Sequence, residues 1–159
     1  VHNERIAQRA ARAVYGSIVA LAVIVVLDKA NAEADEVIAA VIGSVIAATL
    51  AEQYAEYIGH VIRERRHLTG AELRQQAWDG AAGALAALVP LIPFVLVEAD
   101  VIEVRTAYDI APWLGLGVIG GYSLLANREA GVSGARNIVV TGMALAVGAS
   151  LILIKAVTH

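Results

Sequence analysis

Apolar residues in this chain come in blocks rather than in stripes. The first block covers residues 10–27, and the second opens at Val37 and stays free of charged residues to Leu50. A third covers 80–97, a fourth 110–126 and a fifth 138–154. A soluble helical bundle shows polar residues at every third or fourth position on its outer face. Those are missing within the blocks. At about 1.5 Å per residue each block is near the length that crosses a hydrocarbon core of about 30 Å. The pattern predicts an all-α integral membrane protein, one domain over 1–159, with five transmembrane helices near 10–27, 37–58, 80–97, 110–126 and 138–154.

The second block continues in helical register through Ala51-Glu52-Gln53-Tyr54-Ala55-Glu56-Tyr57-Ile58-Gly59-His60 to about Arg66, with no proline to interrupt it. One long helix protruding from the bilayer is the economical reading. Thr69 to Glu72 offers a capping box for the return. Pro90 and Pro93 predict a kink in the third span, tolerated where neighbours satisfy the freed carbonyls. Pro112-Trp113 reads as a proline near a helix start beside an aromatic at interfacial depth.

Basic residues concentrate at the amino end (Arg5, Arg9, Arg12) and in the connectors after the second and fourth blocks. The other connectors are acidic and hold only Lys29 and Arg105, with Lys155 at the carboxyl end. The positive-inside rule therefore predicts a cytoplasmic amino terminus and a carboxyl terminus outside. The arginines at 5, 9 and 12 suggest that the first helix lies on, or extends from, the membrane surface. No small-residue cleavage site follows the first block, which reads as a retained span rather than a signal peptide. Opening on Val1 suggests a trimmed amino end.

Composition agrees with that class: 58% hydrophobic and only 17% charged, against about 45–50% and about a quarter in soluble domains. A net charge of −3 with basic residues in loops gives nucleic acid no footprint. The absence of cysteine excludes disulfides and thiolate metal sites. Gly115-Leu116-Gly117-Val118-Ile119-Gly120-Gly121 superficially spells a dinucleotide fingerprint, but it lies inside an apolar block with no βαβ context. Gly117 and Gly121, and Gly142 and Gly148 on the fifth block, read instead as close-approach positions between helices. No nucleophile–base pair or HExxH motif is present, so no enzymatic activity is expected.

The chemistry-bearing stretch is the ladder Glu52, Glu56, His60, which helical spacing puts on one face. Counting about 20 residues from Val37 puts Glu52 inside the bilayer, Glu56 at its edge and His60 in headgroups or water. An intramembrane carboxylate is costly and points to function. The plain alternative is a helix that has already left the hydrocarbon, with Glu56 supported by His60 or Tyr54. Two carboxylates and an imidazole suit Fe²⁺, Mn²⁺ or Zn²⁺, or a proton relay. A metal shell needs further ligands from another span or a second copy, with Asp79, Tyr122, Ser123 and Asn127 at a similar level. Asp79 also reads as a charge at the amino terminus of the third span, where the helix dipole favours it.

Ala87-Leu88-Val89-Pro90-Leu91-Ile92-Pro93-Phe94 resembles the G-x-x-x-P-L-x-P-F stretch on the third span of the vacuolar iron transporter family. Ala55-Glu56-Tyr57 resembles that family's Gly-Glu-Tyr at the end of span two. The likeness covers about residues 47–126. It implies a homodimer that exports ferrous iron or manganese from the cytosol in exchange for protons, with Glu56 on the metal path. Two positions depart from the family: Val14-Tyr15-Gly16-Ser17 stands where its first-span Asp-Gly motif would be, and Glu52 replaces a methionine. The family's larger members carry a cytoplasmic metal-binding domain between spans two and three, which the connector from Arg63 to Asp79 is too short to hold. The expectation is a small transporter for divalent cations, with Glu52, Glu56 and His60 as metal ligands and no permanently bound cofactor, in a prokaryotic inner membrane. The alternative is a non-transporting scaffold or accessory subunit that packs glycine-lined faces against other membrane proteins.

Overall fold

The computed structural model describes residues 2–129 together with positions 142 and 146. Apart from those two positions, the predicted fifth span at 138–154 lies outside the described residues. What is described is all helical: α1 (His2–Lys29), α2 (Ala34–Glu64), α3 (Gly70–Ala87), α4 (Ile92–Glu98) and α5 (Val104–Glu129). A short 3-10 turn, Val89–Leu91, joins α3 to α4.

Three segments, Arg9–Lys29, Ala34–Glu64 and Gly70–Glu98, are long and apolar enough to cross a membrane. The second has 31 residues, so at about 1.5 Å each it exceeds a core of about 30 Å and extends beyond it. That agrees with the uninterrupted register read from the sequence.

Local chemistry sets the boundaries. Thr69 caps α3 in a reciprocal box: its hydroxyl accepts from the Glu72 amide and the Glu72 carboxylate accepts from the Thr69 amide at 2.8 Å. Two helix ends close in the Schellman manner without glycine. The Ala32 amide donates to the Leu27 carbonyl and the Asn31 amide to Asp28, with Asn31 at φ 53°. Val101 and Asp100 repeat this on Leu96 and Val97 after α4, with Asp100 at φ 55°. Asn and Asp enter the left-handed region more readily than other side chains.

Two boundaries differ from expectation. The third segment is broken rather than kinked: α3 stops at Ala87, and Pro90 and Pro93 sit in the turn and the first turn of α4. Two missing amides three residues apart leave too few hydrogen bonds to carry one helix through. In contrast, Pro112 lies inside α5, which begins at Val104, so it does not mark a helix start.

α1 is the central helix and packs against α2, α3 and α5. The apolar core gathers toward one end of the bundle, where Ile24, Val37, Val41, Val45, Leu91 and Phe94 meet Ala107, Tyr108 and Ala111. Phe94 is fully buried and meets the Tyr108 ring edge-on, with centroids 5.0 Å apart. The Tyr108 hydroxyl donates to the Ala32 carbonyl at 3.0 Å, tying the head of α5 to the α1–α2 turn. Among the described residues, close approach within the chain is carried by Gly83 and Gly115, and Gly148, one of the expected positions, lies outside them. A Cβ on Gly83 would fall 2.8 Å from the Arg12 Cβ, and one on Gly115 would fall 2.6 Å from Leu21. Gly117, Gly121 and Gly142 have no such neighbour within 4 Å among the described residues.

Candidate functional site

The end of the bundle away from the apolar core holds a cavity of about 930 Å³ between α1, α2 and α3. Its α2 wall carries Glu52, Glu56 and His60, with Ala55 and Gly59 between them. The 3.6-residue period aligns these side chains, as the spacing predicts. Arg12 of α1 and Gln75, Gln76 and Asp79 of α3 line the remaining sides. Helix α3 comes close because Gly80 offers no side chain where Gln53 packs against it.

Arg12 is only 6% exposed, and its Nη2 donates to the Glu56 carboxylate in an ion pair. Gln76 adds a long contact to the same oxygen at 3.4 Å and donates to the Gln53 carbonyl at 2.9 Å. Glu56 is thus supported by Arg12 and Gln76, and not by His60 or Tyr54 as the sequence suggested. Tyr57 points elsewhere, its hydroxyl 2.9 Å from Nδ1 of His67 with the two rings stacked. His60 presents a buried Nε2 with no hydrogen-bond partner among the described residues.

Asp79 lies in the middle of α3, so the dipole of a helix amino terminus does not account for its charge. Its Oδ1 accepts from Arg9 Nε at 2.8 Å and Nη2 at 2.6 Å, and its Oδ2 accepts from Gln75 at 3.0 Å. Of the other ligands the sequence offered, Tyr122 and Ser123 do not line the cavity, and the Asn127 side chain lies outside those described. Among the described residues, no group of three or more His, Asp or Glu side chains is placed to hold a metal ion.

The structure therefore brings Glu52, Glu56, His60 and Asp79 to one cavity and sets Arg12 and Arg9 against two of the carboxylates. Sequence reasoning missed both arginines because it placed them at the membrane surface. Their signal was Arg9 and Arg12 on one face of α1, three residues apart, opposite a Gln75–Gln76–Asp79 cluster at matching helical spacing.

Three helical segments long and apolar enough to cross a membrane give the chain the character of an integral membrane protein. No protein family, curated protein or solved structure matches the chain.

Proposed function

We propose that this protein is a small membrane transporter for divalent metal cations, working as a homodimer of five-span subunits in a prokaryotic inner membrane. The observation that carries the reading is the shared cavity wall of Glu52, Glu56 and His60. Carboxylate oxygens and a neutral imidazole are suitable donors for Fe²⁺, Mn²⁺ or Zn²⁺. Intramembrane carboxylates facing a cavity mark ion pathways in membrane proteins.

Two features support it. The cavity lies beside a basic stretch, Arg63 in the last turn of α2 with Arg65 and Arg66 just after it, on the side that the positive-inside rule assigns to the cytoplasm. The two stretches that resemble the vacuolar iron transporter family also fall at distinct features: Glu56 of Ala55-Glu56-Tyr57 lines the cavity, and Pro90 to Phe94 spans the end of the turn after α3 and the first turn of α4. With only two ladder carboxylates within reach, a divalent ion would keep part of its water shell, as suits a passing substrate.

The test is reconstitution into liposomes with Fe²⁺ or Mn²⁺ outside. The expected result is uptake above that of empty vesicles, reduced in Glu52→Gln and in Glu56→Gln. No flux at any imposed pH gradient overturns the reading.

A second reading, a non-transporting membrane scaffold, is favoured by the ion pairs on Glu56 and Asp79, which clamp α1 to α2 and α3. It predicts tight co-purification with another membrane protein, and no effect of Glu52→Gln beyond stability.

A further inference from the structure

Arg12 is a buried cation only partly satisfied. Its Nη2 holds Glu56, while Nε and Nη1 are out of contact with water and have no hydrogen-bond partner among the described residues. Leaving such donors unpaired costs about 1–3 kcal/mol each, more when they are charged. Glu52 stands one helical turn before Glu56 on the same wall and has no hydrogen-bond partner among the described residues. Arg12 also attracts Glu52 and Asp79 electrostatically. Asp79 is already held by Arg9, so Glu52 is the carboxylate with capacity to spare. Gly83 lets the Arg12 backbone and Cβ sit against α3, which fixes the base of the side chain beside the α2 wall.

We infer that Arg12 is a tethered counter-cation shared between Glu56 and Glu52, the built-in occupant that a cation entering the cavity must displace. The sharing is a property of the three side chains alone, and the displacement by substrate rests on the transporter reading above. A guanidinium carries one charge and presents donors in a flat fork. A divalent ion brings twice the charge and can bridge both carboxylates at once. The site therefore favours divalent over monovalent cations, because only the former replaces Arg12 with a gain in charge.

Two measurements test this on the full chain in detergent micelles. The first is a double-substitution cycle on thermal unfolding with Glu52→Gln and Glu56→Gln. If Arg12 is shared, each single change is absorbed by the remaining carboxylate. The double variant then melts about 4 °C or more below the sum of the single shifts. Additive shifts overturn the inference whatever happens with metal. The second is Mn²⁺ binding by the free-ion electron paramagnetic resonance signal, comparing the wild type with Arg12→Gln. The expected result is binding at least about tenfold tighter in Arg12→Gln, lost again when Glu52→Gln is added. Wild-type binding with unchanged or weaker affinity in a folded Arg12→Gln variant overturns the displacement. A non-additive cycle with no Mn²⁺ bound by either protein supports the shared arginine and overturns the transporter reading. If Arg12→Gln does not fold, the carboxylate cycle decides by itself.

Discussion

Replacing Asp79 with Asn removes one charge and keeps the volume, so it isolates what the Arg9–Asp79 pair contributes. Asp79 is only 7% exposed and accepts three hydrogen bonds, two from Arg9 and one from Gln75. A hydrogen bond to a charged group contributes about 1.5–3 kcal/mol net. Breaking a fully buried pair costs about 3–5 kcal/mol. The Arg9 side chain is 42% exposed, so water screens part of that loss. Asn also keeps one acceptor for Arg9 and an amide contact with Gln75. A net cost of about 2 kcal/mol follows from these opposing terms. For a chain of this size that lowers the melting temperature by roughly 4–8 °C. Thermal unfolding in detergent micelles, followed by circular dichroism, is the assay. Arg9→Gln gives the second corner of the cycle, with a coupling of about 1–2 kcal/mol expected between the two sites. A charge stabilised only by a helix amino terminus gives a smaller loss, about 0.3–1 kcal/mol, and no coupling to Arg9. An Asp79→Asn variant melting within about 1 °C of the wild type, or strictly additive shifts, refutes the ion-pair account.

Three further outcomes follow from the packing. Phe94→Ala, which empties a fully buried site beside Tyr108, costs about 3–5 kcal/mol in the same melting assay, while Phe94→Leu costs clearly less. Gly83→Ala places a Cβ 2.8 Å from that of Arg12 and destabilises by about 1–3 kcal/mol despite its better helix propensity. Gly117→Ala, with no neighbour within 4 Å of the added Cβ among the described residues, is neutral or gains up to about 1 kcal/mol, and a loss as large as that of Gly83→Ala contradicts the packing described. Burial, reinforced by the carboxylates of Asp28, Glu36 and Glu33, pushes the Tyr108 hydroxyl up to about 12. A pKa raised in the folded state gives stability that is complete below the unfolded value near 10 and is lost as pH climbs toward the folded one. Tyr108→Phe, which also loses the bond to Ala32, therefore costs about 1 kcal/mol at neutral pH and shows a shallower decline in melting temperature above about pH 10.

Much of the architecture was legible along the chain because it depends on neighbours. Unbroken apolar runs specify α1 and α2, Thr69 and Glu72 announce the start of α3, and the spacing of Glu52, Glu56 and His60 places them on one wall. The start of α5 was read too late, because Pro112 can sit inside a helix whose other hydrogen bonds hold. The same local reasoning put Asp79 at a helix amino terminus, when α3 begins well before the apolar run.

What only the tertiary structure decided is who answers the charges. Arg12 meets Glu56 across 44 residues of chain and Arg9 meets Asp79 across 70, distances over which no sequence period carries information. Helical spacing specifies which residues share a face, but the rotation of one helix against another is set by close packing, here by Gly83 on Arg12 and Gly115 on Leu21. The sequence by itself therefore determined a set of membrane-length helices and a ladder of carboxylates. The fold turned that ladder into one wall of a cavity with an arginine already in place.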